Sequence, residues 1–203
     1  AAVTNAPGIM PESDYNRYNF SIRNTSKFYN DKLTLDLGAS YIIQNNKNFV
    51  GSGEYFNPLA SLYLFPRGEN FDDVRMFERF DPSRNIMTQY WEQKYSTAFT
   101  MQNPYWTQKR MLREARKQRY MFNASLKYDI LPWLYIMGRV RTDNANTVYE
   151  EKYNASTIMV LAGSDKGMYG KTRTMNRSTY ADVMASMNKN FFDNRLNVNV
   201  QVG

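Results

Sequence analysis

The stretch Leu33-Thr34-Leu35-Asp36-Leu37-Gly38-Ala39-Ser40-Tyr41 decides the fold. Its odd positions are apolar and its even ones polar or glycine, the period of two that sends alternate side chains to opposite faces of a β-strand. Upstream, Asn19-Phe20-Ser21-Ile22-Arg23 alternates in the same way and continues through Asn24 to Phe28. Between the two lies Tyr29-Asn30-Asp31-Lys32, a turn by composition. The region therefore predicts a β-hairpin.

Two more hairpins follow the same plan. Tyr120–Tyr128 and Leu134–Arg141 alternate on either side of a turn containing Asp129 and Pro132. Ala181, Val183, Ala185 and Met187 are followed, after Asp193-Asn194, by Leu196, Val198, Val200 and Val202. Lys27-Phe28, Lys127-Tyr128 and Lys189-Asn190-Phe191 each precede a turn, and Leu33, Leu134 and Leu196 follow it, so one hairpin design is used three times. Each of these six strands is about 8–11 residues long, the length of a tilted transmembrane β-strand. The connections between hairpins, about 44–118 and 144–178, are long, and 1–17 reads as a loop entering the first strand. Tight turns alternating with long loops is the pattern of an outer-membrane barrel, and compact soluble domains seldom carry such loops. Within the first loop Thr107–Gln118, with Met111, Leu112 and Ala115, predicts a short helix.

Composition narrows the chemistry. The chain has 203 residues, enough for one domain or part of a larger one. Lys+Arg 26 against Asp+Glu 19 gives a net charge of +7. There is no cysteine and no histidine, which excludes disulfides, thiolate and imidazole metal sites, and every Ser-His or Cys-His pair. The sequence supports neither an enzyme nor a cofactor. Aromatics make up 15% of the chain although its mean hydropathy is −0.66, and that aromatic content argues against disorder. The longest apolar run, Ile158–Ala162, falls far short of the ~20 residues of a membrane helix. The opening Ala1-Ala2-Val3 is not a secretory signal, and the chain stops in mid-pattern at Val200-Gln201-Val202-Gly203. Both ends read as cut from a longer protein.

In a barrel the apolar face meets lipid and the polar face the lumen. The expected lipid-facing set is Phe20, Ile22, Leu33, Leu35, Leu37, Phe122, Leu126, Ile136, Val140, Val183, Val198 and Val200. The expected lumen-facing set is Arg23, Lys27, Asp36, Asn123, Lys127, Arg139, Arg141, Asp182, Asn197 and Asn199. Asn24 and Ser26 break the apolar series of the first strand, so either the register shifts there or that portion lies above the membrane. A soluble β-sandwich with one wet face per sheet gives the same alternation. That alternative is a free-standing β-domain binding carbohydrate or an anionic polymer.

Four further stretches carry a resemblance: Tyr55-Phe56-Asn57-Pro58-Leu59, Leu62-Tyr63-Leu64-Phe65-Pro66-Arg67-Gly68, Met101-Gln102-Asn103-Pro104-Tyr105-Trp106, and Arg119-Tyr120-Met121-Phe122-Asn123-Ala124-Ser125-Leu126. In this order, between the hairpins, they resemble the SusC/RagA-type TonB-dependent transporters of the Bacteroidetes outer membrane, over about 18–203. The resemblance implies a slice of the wall of a plugged barrel of about 22 strands, with the plug and the TonB-engaging motif lying outside these residues. It further implies import of glycan oligosaccharides or peptides, a SusD-like surface lipoprotein on the external loops, and energy from TonB through the N-terminal part. The remainder of the same barrel and outer-membrane lipid complete the expected partners.

Aromatics of the first long loop are the candidate contacts for ligand or lid: Tyr55, Phe56, Tyr63, Phe65, Trp91, Tyr105 and Trp106. Flat aromatic faces suit sugar rings, but the same residues can pack the loop on itself, and Pro58, Pro66 and Pro104 favour a stiff, folded loop. Tyr18, Tyr128 and Trp133, at strand ends, suit an interfacial girdle. The basic run Arg110, Arg113, Arg116, Lys117 and Arg119 contains Glu114 and no nucleic-acid motif accompanies it, so a solvated external face is favoured over nucleic acid. Asp72-Asp73 and Glu150-Glu151 lack the opposed geometry of a glycosidase and the loop of a calcium site, and read as surface charge.

Overall fold

A computed structural model describes residues 1–49, 51, 53, 55–91, 102–193 and 195–203. Seven strands form one antiparallel sheet in the order β1-β2-β3-β6-β7-β8-β9, so neighbours in the sheet are neighbours in sequence throughout. They are β1 (Ala2–Pro7), β2 (Asp14–Phe28), β3 (Leu33–Lys47), β6 (Met111–Leu131), β7 (Leu134–Tyr153), β8 (Met168–Phe191) and β9 (Leu196–Val202). A separate two-stranded hairpin, β4 (Glu78–Asp81) and β5 (Ile86–Gln89), lies within the first long connection. Short helices α1 (Pro58–Tyr63), α2 (Pro104–Lys109) and α3 (Met159–Ala162) and a 3-10 turn at Phe71–Arg75 complete the described elements. The protein is thus mostly antiparallel β.

The tight turns follow from residues that tolerate positive φ. Lys32 N–H donates to the Tyr29 carbonyl across a turn whose central residues, Asn30 and Asp31, have φ of 54° and 65°. Positive φ at this central pair matches the primed turn whose twist suits a hairpin, and Asn and Asp adopt it at low cost; Tyr29 before them also has a positive φ, 51°. Asp193, with φ of 50°, plays the same part after β8; its neighbour Asn194 lies outside the described residues, as does Met101.

Several sequence expectations change. The main sheet has seven strands where six were expected, because residues 1–17 hold β1 and the start of β2 as well as a turn. The strands also run much further than their alternating cores: β6, β7 and β8 have 21, 20 and 24 residues. The connection expected at 144–178 shrinks to 154–167, and the one at 44–118 to 48–110. The helix expected at Thr107–Gln118 divides, with α2 ending at Lys109 and Met111 opening β6. No register shift occurs at Asn24 and Ser26: β2 pairs β3 without interruption from Asp14↔Lys47 to Phe28↔Leu33. Instead the Ser26 hydroxyl donates to the Asn24 amide oxygen at 2.7 Å, so the two polar groups serve each other.

The sheet is open. β1 covers only Asp14–Asn19 of β2, and β9 covers only Ala185–Phe191 of β8. The rest of the outer edge of both strands pairs with nothing among the described residues, a row of free backbone donors and acceptors that natural sheets normally cover.

Candidate functional site

Paired residues in an antiparallel sheet share a face, so the register sorts the side chains. On one face the cross-strand rows read Phe20-Tyr41-Tyr120, then Ile22-Ala39-Phe122-Thr142, then Asn24-Leu37-Ala124-Val140-Ala181. Below them come Ser26-Leu35-Leu126-Gly138-Val183 and Phe28-Leu33-Tyr128-Ile136-Ala185-Val202. Val198 and Val200 lie on this face too, through Lys189 and Met187. On the other face lie Thr25-Asp36-Ser125-Arg139-Asp182, Arg23-Gly38-Asn123-Arg141-Tyr180 and the row of Lys27 and Lys127. Asn197 and Asn199 share that second face.

No second layer covers the apolar face among the described residues. Ile22 is 72% exposed and Val183 68%, and Phe20, Phe122, Leu126, Ile136 and Val200 are exposed as well. A sheet in water normally buries one face against another element; this one shows its apolar face to its surroundings. The band has aromatic residues at both ends, with Tyr18, Phe20, Tyr41 and Tyr120 above and Phe28 and Tyr128 below. From the Phe20-Tyr41-Tyr120 row to the Phe28-Tyr128 row the strands advance eight residues, ~27 Å; at the tilt of ~40° usual in outer-membrane barrels that is a height of ~21 Å, a little under their ~25 Å apolar band. Above the upper aromatics both faces turn polar, ending in the row Asp14-Lys47-Glu114-Glu150-Lys171.

The polar face is laced by ion pairs that bridge successive strands. Arg23 donates from Nε and Nη2 to the two Asp36 oxygens at 3.0 and 2.5 Å, joining β2 to β3. Arg119 grips Asp143 with the same fork, joining β6 to β7. Arg139 grips Asp182 at 2.9 and 2.5 Å, joining β7 to β8, and the Tyr180 hydroxyl donates to the same carboxylate at 2.6 Å. Lys127 pairs with Asp129 at 2.8 Å. Each pair is solvent-accessible and contributes little stability, so the arrangement chiefly keeps a polar surface charged in both signs yet locally neutral. The basic run is divided by the strand: Arg113, Lys117 and Arg119 fall on the polar face, Arg116 on the other, and Arg110 precedes the strand and donates to Glu78 at 2.7 and 2.8 Å.

The upper end of the sheet carries a compact cap made from both long connections. Its core is Trp106, Met111, Tyr153 and Ala162, with Phe56, Phe77, Leu161 and Met168 packed against it. Helices α1 and α2 start at Asn-Pro dipeptides: Asn57 and Asn103 accept from the N–H groups of Leu59 and Tyr105, and proline fills the first helical position. Buried polar side chains lock the connections together. Asn48 donates from Nδ2 to the Gln108 carbonyl at 2.7 Å and accepts from the Arg113 N–H at 2.9 Å, closing the first connection at its base. Gln89 donates to the Ser156 carbonyl at 3.2 Å and accepts from the Asn103 N–H at 2.9 Å. Trp106 Nε1 donates to Thr157 Oγ1 at 3.1 Å, and Gln102 Oε1 accepts from the Ile158 N–H at 3.1 Å, tying in the second connection.

This packing redistributes the candidate contact aromatics. Trp106 is 0% exposed and has no face to offer a ligand; it is the core of the cap. Phe56 packs on that core beneath the Arg113 guanidinium, 5.1 Å from its ring centroid. Tyr105 stacks at a tilt on Phe77, and Phe65 packs against Phe71 and Trp91. Tyr55 and Trp91 are half-buried, whereas Tyr63 is 86% exposed at the end of α1. Near it a cavity of about 150 Å³ is lined by Met10, Pro58, Leu62, Phe71, Tyr105 and Gln108, whose buried amide makes no hydrogen bond among the described residues.

The acidic pairs part company. Glu150 faces the apolar-band side with Lys152 and Lys171 at 3.2 and 2.9 Å, while Glu151 faces the other side and accepts from the Tyr153 hydroxyl at 2.7 Å. Burial, reinforced by the Glu151 carboxylate, pushes the Tyr153 phenol well above its ordinary value. Asp72 and Asp73 sit in the 3-10 turn, where Asp72 pairs with Arg75 at 3.4 Å. Among the described residues no cluster of acidic side chains is arranged to hold a metal ion, and no helix is long and apolar enough to cross a membrane. No protein-family model and no curated protein matches the chain.

Proposed function

We propose that this chain is part of the wall of an outer-membrane β-barrel importer of the SusC/RagA type. In this reading it helps take up glycan oligosaccharides or peptides with a SusD-like lipoprotein and energy from TonB. The observation that carries the reading is the uncovered apolar face: a multi-strand band, about the height of a bilayer's apolar layer, with aromatic rows at both ends and an ion-paired polar face behind it. Lipid covers that face, and neighbouring strands of the same barrel pair with the two free edges. The polar face lines the hydrated route, where Arg23, Asp36, Lys127, Arg139, Arg141 and Asp182 stand. The cap lies on the external side, with Tyr63 and its surroundings as the surface offered to the lid protein. The protein breaks no bond in its cargo.

Fractionation of source cells with an antibody to this chain tests the reading. A band several times larger than 23.9 kDa in the outer membrane, copurifying with a surface lipoprotein, is the expected result. A soluble band at the chain's own size overturns it and leaves a β-domain that binds carbohydrate or an anionic polymer.

A further inference from the structure

Above the upper aromatic row β8 places its charges on one face only. From Tyr169 to Arg177 its odd residues share the face that bears the apolar band lower down, and they include Lys171, Arg173 and Arg177. Its even residues over that stretch, Gly170, Thr172, Thr174 and Asn176, are uncharged. Cations serving the polar route would occupy the even positions. Arg116 of β6 joins the same face, in the row of Arg173 through Val148.

Among the described residues two of these cations are left without an ion pair by the sheet, while Arg116 pairs with Glu114 at 3.3 Å. Arg173 donates from Nε to the neutral Asn146 amide at 3.1 Å, and Arg177 makes no ion pair among the described residues. Arg177 sits in the row of Tyr120, the upper limit of the apolar band, and Arg173 lies ~13 Å further along the strand. Lys171, two residues and ~7 Å beyond, shares Glu150 with Lys152. A tilt near 40° puts Arg177 at the edge of the hydrocarbon and Arg173 ~10 Å above it, just outside a headgroup layer that extends ~5–8 Å beyond the hydrocarbon. Long cationic side chains can also bend toward that layer from above.

We propose that Lys171, Arg173, Arg177 and Arg116 form a docking strip for the phosphate groups of anionic lipid in the leaflet that surrounds the upper end of the band. Guanidinium forks match phosphate oxygens in pairs, and the strip is continuous with the apolar surface that would hold the acyl chains. The proposal rests on the membrane reading above.

The test uses the full protein purified from its membrane, delipidated in neutral detergent and titrated with lipid A, phosphatidylcholine or inorganic phosphate. The read-out is phosphorus retained per protein after gel filtration. The variant Lys171→Gln/Arg173→Gln/Arg177→Gln is expected to lose lipid A binding by about tenfold or more, each cation near an anionic surface being worth roughly fivefold. Arg177→Lys, which keeps the charge, retains most of the binding, and the polar-face variant Arg141→Gln binds like the parent. Heat-modifiable gel mobility verifies that each variant is folded. Equal retention of lipid A by parent and triple variant overturns the strip while leaving the membrane reading intact. So does equal retention of inorganic phosphate and lipid A, or loss of a copurifying protein with lipid phosphorus unchanged. A soluble chain in fractionated cells overturns both.

Discussion

The wall and the cap solve the burial problem in opposite ways. The cap packs like a small globular core, with Trp106 and Met111 fully enclosed and Asn48, Gln89 and Gln102 spending their amides on backbone groups. The sheet encloses little: most apolar side chains of its apolar band stand uncovered, and polar ones on its other face meet across strands in exposed Arg–Asp pairs. Water alone favours the cap's arrangement and penalises the wall's. One chain therefore contains a region whose stability is its own and another whose stability depends on what surrounds it. Substitutions that remove packing should damage the cap far more than the sheet, and a charge placed on the apolar face should damage the sheet far more than the cap.

The largest effect is expected from Trp106→Ala. It empties the centre of the cap and strands the Thr157 hydroxyl, at a cost of about 3–5 kcal/mol. Hydrogen exchange should then accelerate in 48–91 and 154–167 while the amides of β6 to β8 below the cap keep their protection. Equal loss in both regions would show that wall and cap fold as one unit.

Next comes a depth series on the wall. Val140 lies in the middle row of the apolar band and Ile136 in the lower aromatic row with Tyr128. Val140→Arg should cost about 2–4 kcal/mol of assembly into a bilayer, and Ile136→Arg about 0–1, because the penalty for a charge fades toward the interface. Refolding yield into vesicles measures both. Equal penalties at the two depths, or a larger one for Arg139→Ala on the polar face, would mean that the apolar face does not meet lipid.

Tyr153 separates the two regions by pH. Its phenol is held above its ordinary value, so the folded cap favours the neutral form. That stability is complete below pH ~10, the unfolded value for tyrosine, and declines as pH rises beyond it. Removing the hydroxyl also removes a short bond to a carboxylate, so Tyr153→Phe should weaken the cap by about 1.5–3 kcal/mol near neutrality. The same change makes cap proteolysis less sensitive to pH above ~10. An unchanged alkaline profile in the variant would assign the sensitivity to another group.

The contrast also explains what could be read from the sequence. Alternation marks the lower strands because there one face is apolar and the other polar; Leu33–Tyr41 and Leu134–Arg141 are legible for that reason. In Thr142–Tyr153 both faces are polar, so the period vanishes although the strand continues. Leu112 and Ala115 at the start of β6 mimic a helical spacing, yet β-pairing with β7 holds them extended. The helices had a legible signal in Asn57-Pro58 and Asn103-Pro104, a cap residue followed by the residue best suited to the first turn. The place of Trp106 did not: a loop tryptophan is equally suited to a sugar ring or a core, and only the approach of Thr157, Tyr153 and Ala162 from a distant segment decides between them.

The smallest expected effect has the opposite sign. Gln108 is a buried side chain whose amide nitrogen and oxygen both lack partners among the described residues, beside a mostly apolar cavity. Its desolvation is a cost that the cap's other amides avoid by hydrogen bonding. Methionine has a similar length and helix propensity, fills the same space and brings no polar group to leave unpaired. Gln108→Met should therefore stabilise the cap by about 1 kcal/mol, seen as slower exchange in 102–110 with the wall unchanged. If it destabilises the cap instead, the amide has a partner in the working protein, and the cavity beside Tyr105 and Leu62 is where that partner would sit.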